Sequence, residues 1–256
     1  MINAVFLRPS GNDTALVLDP VPAGEQPAFS NNLMEAYPNI EQVMFVSLEK
    51  GLYAGRMAGG EFCANAARAL GFYATGGNDG NIRLNVSGAS EPLSCTVQGG
   101  FSAIDFDLSG ELQARVRPND DGSCLVDLDG ITHVVVPERA VSEISQTAAM
   151  ALICQYELDR LPACGVIFLH GPETAEQEIV PYVYVRATGS FVAETACGSG
   201  TLAAAMAQAR KGDTNTRRSY TQPSRMKLDV GLKMQNGSIR CNLDGPVEWL
   251  AVRGAI

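Results

Sequence analysis

Two short alanine-rich segments, each headed by a cysteine, interrupt a chain that otherwise reads as strands. The first runs from about Cys63 to Ala74 and ends in Thr75-Gly76-Gly77. The second runs from about Gly200 to Arg210 and ends in Lys211-Gly212. Glycine is the common left-handed stop of a helix, and Arg210 with Lys211 suits the negative end of a helix dipole. Both segments are therefore predicted helices. Ala64, Ala66, Ala67 and Ala69 in one, and Ala203, Ala204, Ala205 and Ala207 in the other, leave small side chains on most faces. Such helices suit a place closely surrounded by sheet. A third helix, from Ala140 to about Tyr156, is amphipathic in the ordinary way, with Ile144, Ala148, Met150, Ala151 and Cys154 as its buried stripe.

The rest has strand texture. Ile2–Arg8, Thr14–Asp19, Val43–Glu49, Ile82–Val86 and Ser102–Leu108 are rich in β-branched and aromatic residues, with Gly, Asn and Pro between them. The texture returns at Cys124–Leu128, Thr132–Val136, Gly165–Leu169, Tyr182–Arg186, Met226–Leu232, Ser238–Leu243 and Val247–Val252. The order is strands, cysteine-headed helix, strands, and then the same again. It predicts a mixed α/β (α+β) fold of two similar lobes with the functional cleft between them. The polar stretch Pro118-Asn119-Asp120-Asp121-Gly122 marks their boundary.

Length and charge narrow the function. A chain of 256 residues can build one large core or two modest ones. A net charge of −9 repels phosphate backbones, so nucleic acid is not expected as a partner. The amino terminus does not read as a signal peptide, and no stretch approaches the roughly 20 apolar residues of a membrane helix, so no membrane partner is expected. The cytoplasm is the default compartment, where the seven cysteines would stay reduced. No Cys-x-x-Cys pair or Cys/His cluster suggests a metal, and no metal is expected. His133 and His170 lie far from both cysteine motifs in sequence and are read as loop or packing residues.

The chemistry concentrates in two motifs. One is Gly59-Gly60-Glu61-Phe62-Cys63-Ala64-Asn65-Ala66-Ala67-Arg68; the other is Glu194-Thr195-Ala196-Cys197-Gly198-Ser199-Gly200-Thr201. A cysteine at a helix start meets free backbone N–H groups and the positive dipole end. These lower a thiol pKa from about 8.5 to about 3.5–7.5 and also bind anions. Two such ends facing each other would grip one carboxylate and set a sulfur on each side of the neighbouring carbon. One thiolate would remove the Cα proton, and the opposite thiol would return one. The carboxylate would take up the developing charge against fixed N–H donors. Free cysteine is most often a packing residue, and Cys95, Cys124, Cys154, Cys164 and Cys241 are read that way. Cys63 and Cys197 stand apart because they occupy equivalent places in a duplicated pattern. Glu61 and Glu194 each either orient a cysteine or a substrate amine, or serve as acids favouring the helix dipole.

These motifs resemble those of diaminopimelate epimerase and its relatives, the cofactor-independent amino-acid racemases. Phe62-Cys63-Ala64-Asn65-Ala66-Ala67-Arg68 is similar to the family's Cys-Gly-Asn-Gly-Ala-Arg motif, and Glu194 to Gly200 to its second cysteine motif. Ser10-Gly11-Asn12-Asp13 and Asp244-Gly245-Pro246-Val247-Glu248 are similar to its first and last signatures. The resemblance implies two pseudo-symmetric lobes, each a mostly antiparallel sheet or barrel wrapped around a central helix. The final strand would return to the first lobe, so that lobe comprises residues 1–117 plus 245–256 with the Cys63 helix. Residues 118–244 form the second lobe, with the Cys197 helix. The resemblance further implies that Asn12 helps hold substrate and that the amides of Ala64, Asn65, Gly198 and Ser199 bind the α-carboxylate. It implies no cofactor.

Departures from the family bear on the substrate. Its Asn-Pro-His segment falls at Leu161-Pro162-Ala163-Cys164, and its Tyr-Glu-Arg segment at Tyr184-Val185-Arg186, which keeps Arg186 but loses the glutamate. Arg56 and Met57 stand near the place of an absent asparagine. The substrate-binding set expected is Asn12, Ala64, Asn65, Arg186, Glu194, Gly198 and Ser199 around catalytic Cys63 and Cys197. The partner expected is a free amino acid other than diaminopimelate; histidine racemases share this fold. A homodimer is the one oligomer considered. The rival readings are diaminopimelate epimerase itself, a proline or hydroxyproline racemase, a phenazine-type isomerase and a non-catalytic amino-acid binding protein. A pyridoxal-phosphate racemase is disfavoured because the chain has only four lysines, none in a convincing phosphate loop.

Overall fold

The computed structural model describes residues 3–137, 143–171, 173, 177–209, 213, 215–235 and 237–255. It is a mixed α+β protein, mostly sheet with few helices. The first part of the chain runs β1 (Asn3–Pro9), β2 (Thr14–Val17), α1 (Gln26–Ala36), β3 (Gln42–Glu49), β4 (Leu52–Met57), α2 (Ala64–Ala74), β5 (Gly80–Val86), β6 (Leu93–Gln98) and β7 (Phe101–Ser109). A short α3 (Leu112–Arg115) leads to β8 (Val116–Pro118), β9 (Cys124–Leu128), β10 (Ile131–Val136) and α4 (Gln146–Gln155). Then come β11 (Ala163–His170), β12 (Gln177–Val185), β13 (Ser190–Ala193), α5 (Gly198–Gln208), β14 (Asn215–Thr221), β15 (Lys227–Gln235) and β16 (Ser238–Ala255).

Most neighbouring strands are antiparallel. The parallel pairs are β2–β3, β4–β5, β10–β11 and β12–β14. Parallel partners need a long crossover, and each of these is bridged by a helix: α1, α2, α4 and α5 in turn. Two of the crossovers run through the interior. Strands β1 to β7 and β16 close into a ring, because β16 pairs with β7 over Ser238–Pro246 and with β1 over Val247–Ala255. Helix α2 touches every strand of that ring, and all its residues from Ala64 to Phe72 are buried. Helix α5 is buried in the same manner against β9, β10, β11, β15 and β16. Alanine at the sheet-facing positions is what lets a helix pass so close to surrounding strands.

The strands foreseen in the sequence are all present, with ends shifted by a few residues. Ser238–Leu243 and Val247–Val252 prove to be one strand, β16. Gly245 and Pro246 lie where it leaves β15 and begins to pair with β1, a place that does not call for the missing proline N–H. The second cysteine-headed helix begins at Gly198 rather than Gly200 and is helical to Gln208, while Arg210, Lys211 and Gly212 lie outside the described residues. Helix α4 starts at Gln146, capped by the Ser145 hydroxyl; the expected start at Ala140 lies outside the described residues. Its buried face is Ala149 and Ile153. Ala151 and Cys154 point outward, so Cys154 is not the packing residue expected.

One buried cation ties the ring to its helix. Arg68 on α2 is fully buried and donates to the carbonyls of Ser102 on β7 and Pro246 on β16, and to the side chains of Ser10 and Asn65. The nearby Asp244 carboxylate favours its charge. Removing one partner from a buried charge network commonly costs about 3–5 kcal/mol. Arg68→Met is expected to lower unfolding stability by about that amount, read from the urea midpoint at constant slope.

Candidate active site

The two interior helices meet at their N-termini. Cys63 caps α2 and Cys197 caps α5 in nearly the same extended conformation, with φ/ψ of −124°/105° and −129°/107°. Each sulfur accepts an N–H three residues on, from Ala66 at 3.4 Å and from Gly200 at 3.3 Å. Asn65 Nδ2 crosses from α2 to the carbonyl of Ala196, just ahead of Cys197, at 2.8 Å. Glycine is needed at this meeting point. A methyl group on Gly198 would stand 2.8 Å from Ala64 Cβ, and one on Gly200 would stand 3.0 Å from the Cys197 sulfur. The first-turn amides of Ala64, Asn65, Gly198 and Ser199, which have no partner within their own helices, are gathered here.

Beside this junction lies a cavity of about 60 Å³. Cys63 and Ser199 line it together with Glu41, Gln42, Glu61 and Glu194. Cys197 sits behind Ser199, its sulfur 3.6 Å from the serine hydroxyl. Gln42 connects the two sides: its Nε2 donates to Glu194 at 2.8 Å, and its Oε1 accepts the Cys63 thiol at 3.0 Å. Glu41 accepts from Asn12 Nδ2 at 2.7 Å and from the Thr195 amide at 2.9 Å and hydroxyl at 2.5 Å. Met34, Met57, Val183, Val185 and Val192 supply much of the apolar wall. No lysine, arginine or histidine is among its described lining residues. No group of three His, Cys, Asp or Glu that could hold a metal occurs among the described residues, and no described helix is long and apolar enough to cross a membrane.

Burial dominates the electrostatics. It pushes Glu41 up to about 7, against the hydrogen bonds from Thr195. It likewise pushes Glu194 up to about 7, and it raises Glu61. The expectation of thiols acidified by helix ends is overturned. Burial first, and then the Glu194 charge, hold both Cys63 and Cys197 well above the ordinary thiol range. The backbone N–H groups act in the lowering direction but are outweighed.

Several foreseen residues stand elsewhere than expected. Arg186 is exposed and donates to the Arg160 carbonyl at 2.8 Å. It follows the last residue of β12, Val185, which takes the cavity-facing position. Asn12 is buried behind Glu41, with its Oδ1 accepting the Thr14 hydroxyl, so it reaches the cavity only through that carboxylate. Met57 lines the cavity, while Arg56 is exposed. Among the other cysteines, Cys95, Cys164 and Cys241 are buried as foreseen. Residues the sequence did not single out include Glu41, Gln42 and Ser30. His133 is more than a packing residue: fully buried on β10, it places Nε2 3.0 Å from the Ser199 hydroxyl, and burial pushes it down to about 3.

The fold is shared with solved racemase and epimerase structures. A predicted epimerase from Pseudomonas aeruginosa superimposes with a TM-score of 0.63 over 100% of both chains at 15% identity. A hydroxyproline epimerase from Agrobacterium vitis, with bound trans-4-hydroxy-L-proline, gives 0.61 over 99% of this chain and 93% of that one at 11% identity. The family described as the histidine racemase CntK N-terminal domain matches residues 1–255, and the chain belongs to that family. A histidine racemase of Fusobacterium nucleatum is 26% identical over 264 residues, covering 98% of this chain and 95% of the relative. The chain is thus an isomerase of the racemase and epimerase class.

The raised carboxyls make stability depend on pH. Between the ordinary 4.5 and about 7, Glu41 and Glu194 are more protonated in the folded chain than in the unfolded one. Their contribution is complete below pH 4.5 and is lost as pH rises through 7. Replacing both, Glu41→Gln with Glu194→Gln, is expected to remove a decline on the order of a few kcal/mol across that range, measured by urea unfolding at each pH.

Proposed function

We propose that the chain racemises free histidine without a cofactor, using Cys63 and Cys197 as the two acid–base groups on opposite faces of Cα. The observation that carries this reading is the meeting of two cysteine-capped helix N-termini beside a buried cavity. In this reading the chain has lobes 1–117 plus 245–256 and 118–244, with substrate between them. The substrate carboxylate takes the amides of Ala64, Asn65, Gly198 and Ser199. Its ammonium group takes Glu194, the carboxylate whose charge acts on both sulfurs.

A resting pair of thiols is what the burial dictates. Substrate binding changes the balance, because the ammonium neutralises Glu194 and adds positive charge beside the sulfurs. One thiol then ionises, releasing its proton to solvent as the substrate ammonium enters, and its thiolate takes the Cα proton. The electron pair left on carbon spreads into the carboxylate, where the helix amides stabilise it. The opposite thiol gives its proton to the other face of Cα. The transfer leaves the ionised pair with the same proton count and the two sulfurs exchanged in role, and the released proton returns when the product ammonium leaves.

The lining also argues against diaminopimelate. Its second carboxylate would enter a cavity walled by Glu41, Glu61 and Glu194 with no described cation to meet it. A neutral or cationic side chain suits those walls, and the related histidine racemases point to histidine.

The test uses Cys63→Ser and Cys197→Ser, each incubated with D- and L-histidine in heavy water. Both variants are expected to lose racemisation by at least about a hundredfold, the usual scale of a lost general base. Each should retain slow deuterium uptake from opposite enantiomers. Full racemase activity in either variant would exclude that cysteine as a base. The wild-type kcat should rise and then fall with pH, because only the singly protonated pair of the substrate complex is productive.

A further inference from the structure

Three buried polar atoms that line the cavity have no hydrogen-bond partner among the described residues: Ser30 Oγ, Glu61 Oε2 and Glu194 Oε2. Glu194 is accounted for by the substrate ammonium in the proposed reaction. Ser30 and Glu61 are not used by it. Ser30 is 2% exposed and Glu61 6% exposed, so bulk water does not satisfy either. Buried polar groups in folded proteins are nearly always paired, and two unpaired ones facing one cavity point to a ligand that pairs them.

The two come from different parts of the chain, α1 and the segment just ahead of α2. Ser30 lies on α1, one helical turn before Met34, and both face the cavity. A serine inside a helix commonly bonds back to a carbonyl of the preceding turn. This one does not, and its hydroxyl remains available. The Glu61 carboxylate lies beside Gly59 and Val185: a methyl group on Gly59 would stand 2.6 Å from Glu61 Oε2 and 3.0 Å from Val185 Cγ1. Glu61 therefore faces the end of β12. Its charge acts on the Cys63 sulfur less than that of Glu194 does. Met34, Val43, Ala58 and Val185 belong to the apolar part of the same lining.

We propose that Ser30 and Glu61 are the residues that read the substrate side chain, and that together they select an imidazole ring. This rests on the racemase reading above. A carboxylate accepts only, whereas a hydroxyl donates or accepts. A neutral imidazole offers one N–H donor and one nitrogen acceptor, and matches that pair with Glu61 on the N–H and Ser30 donating to the other nitrogen. An imidazolium also matches, with the hydroxyl turned to accept. The flat, apolar body of the ring suits the valine and methionine walls. A hydrocarbon side chain of equal size would leave both polar groups unpaired, which is the condition under which sites discriminate most strongly.

The experiment compares L-histidine with 4-thiazolylalanine, a near-isostere in which sulfur replaces the ring N–H, by deuterium uptake at Cα. Wild type, Ser30→Ala, Ser30→Thr and Glu61→Gln are measured with both compounds, and folding is checked by circular dichroism. Wild type is expected to favour histidine in kcat/KM by at least about a hundredfold. Glu61→Gln should reduce that preference at least about tenfold. Ser30→Ala should raise the KM for histidine at least about tenfold with kcat changed much less, and Ser30→Thr should restore it. An unchanged preference in Glu61→Gln, or an unchanged KM for histidine in Ser30→Ala, would overturn the assignment while leaving the racemase reading intact. Wild type that exchanges no α-proton of histidine would remove the racemase reading and this inference with it.

Discussion

Two helix N-termini pressed against each other bring like partial charges together, and the rest of the molecule is arranged around that contact. Each end carries roughly half a positive charge in unpaired amides. Left alone, the ends would separate or draw in water. Here they are held by the Asn65 amide on the Ala196 carbonyl, by sulfur caps on each first turn, and by Arg68 fixing Asn65 from below. The surrounding strands leave the helices no other place to go. A carboxylate is the natural counter-charge for such a junction, and in the proposed reaction the substrate's own carboxylate takes that place.

The same place shows two effects competing over thiol acidity. A helix N-terminus alone favours thiolate. Complete burial opposes any unpaired charge, and carboxylates around the sulfurs add to that opposition. Burial wins because the lining offers acids but no described cation. In the proposed reaction the sulfurs therefore stay as thiols until the substrate ammonium arrives. Sequence position alone gives the first effect and is silent about the second.

Much of the architecture was legible because its signals are local. Cysteine beside glycine, alanine-rich helices and β-branched strands each announce themselves within a few residues. The parts that were not legible depend on distant partners or on atypical composition. Helix α1 does not stand out in the sequence, because Pro27, Asn31 and Asn32 give it no strong helical signal, yet proline suits a first helical turn and the segment folds as a helix. β14 carries Arg217 and Arg218 and lacks the apolar alternation of a strand. Glu41 and Gln42 look ordinary until β3 sets them beside α2. His133 sits in a β-branched run that suggests packing, and its contact with Ser199 spans 66 residues. Arg186 was misplaced by strand parity: one residue decides whether a side chain enters the cavity or leaves it.

Closure of the ring by β16 sets the order in which the molecule can be completed. Residues 3–9 pair with 247–255, so the barrel that holds Cys63 stays open along one seam until the last strand arrives. During synthesis on the ribosome, the segment from β1 to β7 must wait, with its β1 and β7 edges unpaired, while the entire second half is made. Contacts of such sequence separation slow folding, and a waiting edge strand is a site for wrong pairing. Because Ser238–Asp244 of the same strand pairs with both β7 and β15, a single late event finishes the walls of both cysteine helices. The protein therefore has no half-built stage in which one complete cysteine site exists without the other.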